Sequence, residues 1–258
     1  MKLIDSHCHL DLSEFDHDRQ QILKHCHQLG IKQIIVPGIQ ASGWNKLVRL
    51  CQQLPMLKLA LGLHPLFVEH HSDKDLERLQ HQLMQHNPVA VGEIGLDFFD
   101  KSANRSRQQY FFEQQLNIAK AAQLPVILHV RKAHDQTLSA LRKVKPVGGI
   151  VHAFNGSLQQ AHNYMELNVK LGFGGTLTYE RSTKLRALAA TLPLSSIVLE
   201  TDAPDMVVAA HQGERNSPEY LIDCLQALAA LRDEHIEHIA AQTSLNVEQV
   251  LGLNTTAE

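Results

Sequence analysis

Several things are scarce in this chain of 258 residues. Aromatic residues make up only 5% of it, so there are few platforms on which nucleobases could stack. Cysteine occurs four times, at Cys8, Cys26, Cys51 and Cys224, far apart and with no CxxC pair. That spacing speaks against a disulfide framework and for reduced thiols in a reducing compartment. No run of about 18 apolar residues is present, and "MKLIDSHCH" at the start carries no apolar signal-type core, so the expectation is a cytoplasmic protein with no membrane association. Neither sign of charge dominates: 24 Lys and Arg face 27 Asp and Glu, for a net charge of -3. A global attraction to nucleic acid or to an anionic membrane is therefore excluded, and any such binding needs a local patch. Glycine-rich phosphate loops of the GxGxxG or Walker type are missing, as are low-complexity segments and linkers.

What is present alternates. Short aliphatic runs recur at residues 2–7, 33–38, 58–64, 89–95, 125–130, 148–154, 169–175 and 196–202. Polar stretches with helical spacing separate them, among them 18–29, 73–86 and 106–123, and Gly30 and Pro125 supply helix stop signals. Eight strand–helix repeats in about 250 residues predict an α/β fold, a (β/α)8 TIM barrel, filling one domain over residues 1–258. A doubly wound open sheet usually has fewer repeats and a glycine-rich loop after its first strand. Helical pieces after residue 217, including "SLNVEQVLGL" (244–253), are expected to complete and cap the barrel.

Histidine is abundant, with 17 copies, and the tripeptide HCH appears twice. At residues 7–9 it falls at the end of the first predicted strand, where side chains alternate with period 2, so His7 and His9 share a face with Asp5 beneath them. At residues 25–27 it falls in a helix, where positions two apart diverge by about 200°. His25 and His27 are thus expected to be ordinary helix residues. Other ligand-type residues fall at the ends of further predicted strands: Glu93, His129, His152 and Asp202. The C-terminal rim is where barrel sites lie, and an ionisable side chain ending an apolar strand costs desolvation unless something pairs with it. Four histidines and two carboxylates exceed the three protein ligands of a catalytic zinc. They suit two divalent ions, with His7, His9 and Asp202 on one side, His129 and His152 on the other, and Glu93 between them. Zinc, magnesium and manganese all fit the donor types.

Asp202 is the candidate general base. Asp5 and Glu200 are either orienting partners for ligating histidines or barrel-interior hydrogen-bonding residues. Asp97 is read as a brace for its loop, and Cys8 and Cys224 as core thiols. Arg131, two residues beyond His129, is expected to face the mouth, where a guanidinium can grip phosphate. Arg215 could extend a basic rim, whereas Arg181, Lys184 and Arg186 read better as a solvated helix face.

The motifs "DSHCHLD", "GLHP", "GEIGLDF", "PVILHVRKA", "VHAFNGS", "LETDAPDM" and "ERNSPEYL" occur in order over residues 5–221. Together they resemble the TatD family of metal-dependent hydrolases, within the amidohydrolase-like barrels, and "GFGGTLTYERSTKLR" resembles its YjjV branch. The resemblance implies a barrel with one or two divalent ions held by His7, His9, Glu93, His129, His152 and Asp202. It favours substrate contact for His64. Two departures are visible: Phe98 stands where many relatives have tyrosine, and "HAFNG" replaces a cysteine-containing "HCFSG". The implied activity is hydrolysis by a metal-activated water. A phosphodiesterase, specifically a deoxyribonuclease acting as a monomer on single-stranded DNA or 3′ ends, is the leading expectation. The alternative is an ester or amide hydrolase, such as an aminoacyl-tRNA deacylase or a small-metabolite hydrolase, since the same ligands would polarise a carbonyl. A metal-buffering role fits the histidine count but not its convergence on the rim.

Overall fold

The computed structural model describes residues 1–253; residues 254–258 of the expected domain lie outside the described residues. Eight parallel strands follow one another in sheet order: β1 (Leu3–Asp5), β2 (Ile31–Pro37), β3 (Leu57–Leu61), β4 (Ala90–Asp97), β5 (Val126–Arg131), β6 (Gly149–Val151), β7 (Val169–Phe173) and β8 (Ile197–Leu199). The first and last strands meet through Ser6 N–H to Leu199 O (3.0 Å) and Asp202 N–H to His7 O (2.8 Å), so the sheet is a nearly closed barrel. This is the expected (β/α)8 TIM barrel.

Seven helices connect successive strands: α1 (Arg19–Gln28), α2 (Trp44–Gln53), α3 (Asp73–His86), α4 (Arg105–Ala121), α5 (His134–Val144), α6 (Leu158–Met165) and α7 (Thr183–Thr191). Their starts follow local chemistry. Ser72 and Asp75 form a capping box on α3, and Ser157 and Gln160 form one on α6, each satisfying two backbone N–H groups that the helix cannot. Asn87 ends α3 in the left-handed conformation that asparagine tolerates. None of the described helices is long and apolar enough to cross a membrane.

Two apolar layers result. The larger lies between the strands and the helix ring. The smaller joins Ile4, Ile35, Ala60, Ala90, Ile127, Ile150 and Val198, one residue from each of seven strands, with Val247, Val250 and Leu251. Those last three belong to α9 (Ile236–Leu251), which follows α8 (Leu221–Ala229). Helix α9 therefore plugs the barrel end opposite the rim, as the helical reading of 244–253 anticipated. Ser244 Oγ donates to Lys2 O (3.0 Å), and Asn246 Nδ2 donates to Leu194 O and Ile197 O (2.8 and 2.7 Å). These bonds satisfy strand and loop carbonyls that would otherwise be buried without a partner.

Five strands are shorter than the sequence suggested, β3 and β7 among them, which stop at Leu61 and Phe173. β1 stops at Asp5, β6 at Val151 and β8 at Leu199, so His7, His9, His152 and Asp202 lie just beyond strand ends. β4 runs longer, to Asp97, which puts Glu93 inside the strand rather than at its end.

Candidate metal centre

Inward-facing positions can be followed up each strand from the small core layer. Ile127 and Ile150 point inward, and two residues on stand His129 and His152; two residues on from Val198 stands Glu200, and the chain past the end of β8 brings Asp202 to the rim. Strands β1 and β4 depart from this rule. Ile4 is the inward residue of β1, so Asp5 points to the seam between β1 and β8, and the chain beyond the strand end, not alternation, carries His7 and His9 over the mouth. In β4 the pairing with β5 slips between Val91 and Ile94. Three residues of β4 there span two of β5, a bulge that turns Glu93 toward the barrel axis.

The side chains converge. His7 Nε2 and His9 Nε2 are 3.2 Å apart, each is 3.3 Å from Glu93 Oε2, and they lie 3.5 and 3.7 Å from Asp202 Oδ1. The other oxygen of Glu93, Oε1, faces His64 Nε2 (3.1 Å), His129 Nδ1 (3.1 Å) and His152 Nε2 (2.9 Å). One carboxylate thus stands between two histidine groups and offers each a separate oxygen.

Burial and neighbouring charges shift the ionisation of these groups. Burial draws the His7 ring down to about 3 and that of His64 to about 4, mainly by desolvation. At His9 and His152 burial opposes the charged ring, but Glu93 and Asp202 outweigh it and push them up to about 9 and about 10. Glu93 itself is held well below the usual carboxylate range: burial works against its charge, and the surrounding histidines prevail. Asp202 is raised, chiefly by burial.

A divalent cation suits this arrangement. Glu93 Oε2 is buried and has no hydrogen-bond partner, and the His7 and His9 nitrogens near it are close without being aligned for a hydrogen bond. Donors held about 2.1 Å from one ion lie roughly 3–3.5 Å from each other, the spacing seen here. Three sets of donor atoms lie within 4.8 Å of one another: His7, His9 and Asp202; His7, Glu93 and His152; and His64, Glu93 and His129.

The supporting residues are only partly those anticipated. Asp97 does brace its loop, since Oδ1 accepts from Phe99 N (2.9 Å), but Oδ2 also meets His129 Nε2 at 3.1 Å. It thereby turns Nδ1 of that ring toward Glu93. The sequence signal was its position: four residues past Glu93 in one strand, hence on the same face, with the side-chain-free Gly95 between them. Asp5 touches no histidine ring. Its carboxylate accepts from His7 N (3.2 Å), Thr201 N (3.0 Å) and Thr201 Oγ1 (2.6 Å), tying β1 to the end of β8. Glu200 accepts from Ala153 N (2.5 Å) and lies 3.9 Å from His152 Nδ1, beyond hydrogen-bond reach. Burial pushes Glu200 up to about 8.

His64 is buried inside the cluster. Arg131 is exposed, with its guanidinium carbon 3.7 Å from the Phe99 ring centroid. Arg215 is engaged elsewhere: it pairs with Asp18 at 2.6 Å, contacts Glu14 O and lies over Phe15. His25 and His27 are exposed on α1, and His25 pairs with Glu219 at 2.5 Å, so the second HCH contributes nothing to the centre. A cavity of about 670 Å³ opens beside the cluster over the ends of β5 to β8. His129, His152 and Asp202 form its floor, with Arg131, Asn155, Thr176, Arg181, Ser182, Thr183, Lys184 and Asp205 among its walls. Arg181 and Lys184, expected on a solvated face, thus line the mouth. Arg186 instead donates to Leu177 O (2.9 Å).

A histidine- and carboxylate-rich rim on a (β/α)8 barrel defines a class, that of barrels whose rim can hold metal ions. Within it, residues 4–252 match the model of the TatD related DNases, and the chain belongs to that family. It is 44% identical over 249 residues to the uncharacterized metal-dependent hydrolase YjjV of Escherichia coli K12, covering 95% of each chain. An uncharacterized metal-dependent hydrolase of Haemophilus influenzae is 38% identical over 261 residues, covering 97% of this chain and 99% of its own. The crystal structure of the TatD homologue YjjV from E. coli superposes with a TM-score of 0.94 at 42% identity, covering 98% of each chain.

Proposed function

We propose that this protein is a divalent-metal-dependent hydrolase that cleaves phosphodiesters, a deoxyribonuclease acting as a single-domain monomer on single strands or strand ends. The observation that carries the reading is the position of Glu93, one oxygen toward His7 and His9 and the other toward His129 and His152. His7, His9 and Asp202 would hold one ion and His129 and His152 a second, with Glu93 shared; His64, equally close to Glu93, supports the second position. Zinc, magnesium or manganese, when bound, would supply an acidified water and neutralise charge on the reacting phosphoryl group.

The chain's own residues do the rest. Asp202 faces both the cluster and the cavity. One of its oxygens can stay with His7 and His9 while the other takes the proton of the attacking water. Asp97 holds His129 in a single orientation. Arg131, stacked near Phe99, lines the cavity, where the N–H edge of its guanidinium can donate to a substrate phosphate. The cavity volume lies in the range of small-ligand sites and so suits one or two nucleotides better than a duplex.

The test is an end-labelled single strand incubated with the protein and Mg²⁺, Mn²⁺ or Zn²⁺, resolved on a gel beside the matching duplex. Shortening of the single strand, faster than of the duplex, is the expected result. A strand left uncut under every metal, alongside release of an amino acid from charged tRNA or turnover of an aryl ester, would transfer the assignment to an ester hydrolase.

A further inference from the structure

One wall of the cavity has no part in the chemistry above. Arg181 and Lys184 stand on the segment that opens α7, and both line the cavity with Ser182 and Thr183. Both are exposed. The lysine and arginine ion pairs among the described residues involve Lys2, Arg19, Lys46, Lys143, Arg215 and Arg232, so neither cation has a carboxylate partner there. Arg181 instead lies over the Tyr179 ring, its guanidinium carbon 4.7 Å from the centroid, which restricts where the guanidinium can point. Two unpaired cations sharing a concave wall with two hydroxyl side chains form a polyanion-binding surface on a protein whose net charge is -3. Asp205 lines the same cavity.

We propose that Arg181 and Lys184 form a subsite for a second phosphate of the substrate, adjacent to the one cleaved over His7, His9 and Glu93. This rests on the phosphodiesterase reading and deepens it: the preferred substrate is a strand end bearing a further phosphate, not an isolated diester. Serine and threonine hydroxyls at positions 182 and 183, on the same cavity wall, complete the grip. Arg131, across the floor from this wall, remains with the scissile group, so the cavity holds two separate anion contacts.

Calorimetric titration of the metal-loaded protein with a thymidine dinucleotide, with and without a terminal phosphate, tests this directly. The terminal phosphate should tighten binding about tenfold to a hundredfold, in keeping with two charge-assisted contacts. The double variant Arg181→Ala/Lys184→Ala should lose that preference. Lys120→Ala/Lys143→Ala, which removes two cations from α4 and α5, should keep it. Equal affinity of the wild type for both dinucleotides overturns the subsite, as does a preference that survives in Arg181→Ala/Lys184→Ala. A preference lost equally in both double variants also overturns it, by reducing the effect to overall charge. Cleavage is scored in parallel. A phosphate preference that depends on Arg181 and Lys184 without cleavage of either dinucleotide would uphold the subsite and remove the phosphodiesterase reading alone.

Discussion

Glu93 offers one oxygen to each half of the rim cluster, and a neutral amide in its place could not do so. Glu93→Gln should lower turnover by several orders of magnitude and reduce metal content, measured by elemental analysis beside an activity assay. His25→Ala and His27→Ala should leave both near wild type. If the helical pair proved as sensitive as His7 and His9, the distinction between the two HCH copies would fail. Asp97 acts one step further out. Because it orients His129 from 3.1 Å, Asp97→Asn should weaken metal affinity by roughly 10–100-fold; an unchanged affinity would reduce Asp97 to a loop brace. All the proposed ligands were legible in the sequence, because ionisable residues at the ends of apolar runs stand out. Asp97 was read only as a loop brace because its second contact crosses from β4 to β5, and no single segment encodes that. Arg215 was misplaced for a related reason: its partner Asp18 is distant in sequence, and their pairing exists only in the folded chain.

The strands show where a period-2 reading holds and where it breaks. It holds along β5, which carries His129, whereas β6 and β8 end at Val151 and Leu199 and the chain just beyond them brings His152 and Asp202 to the rim. For His7 and His9 it breaks, since β1 ends early and the chain beyond it carries them over the mouth, and Glu93, read as the end of an apolar run, is turned inward by a bulge inside β4. Such irregularities cost no hydrophobicity, so they leave no mark in the pattern of apolar residues. Close packing between β7 and β8 was equally silent. Gly172 lies against Glu200, and a Cβ there would stand 2.2 Å from Glu200 Oε2. Gly172→Ala should therefore destabilise the protein by about 1–3 kcal/mol through overpacking, read as a lower denaturation midpoint in urea. Shortening the neighbour in Gly172→Ala/Glu200→Ala should recover part of that loss. Strict additivity of the two changes would mean that the residues do not meet.

At the scale of the whole molecule, the centre rests on a barrel stabilised independently of it. Metal removal by chelation should abolish hydrolysis while far-UV circular dichroism stays unchanged. The melting temperature should fall on chelation and recover with added metal, since a ligand at a hundred times its Kd contributes about 2.7 kcal/mol. Collapse of the dichroism on chelation would instead make the ion part of the fold. The eightfold alternation made this architecture legible, and helical spacing with stop signals located α1, α3 and α4 and the closing α9. The seam between β1 and β8 has a consequence in time rather than in space. Asp5 and Thr201, which lock it, are 196 positions apart, and on a ribosome adding about 5–20 residues per second the second follows the first by roughly 10–40 s. Throughout that interval the nascent chain carries His7 and His9 without Asp202, and the barrel bottom without its plug. A polypeptide released before α9 is made would present an open apolar throat to chaperones and proteases, so premature termination should leave degradation fragments and no partly active hydrolase.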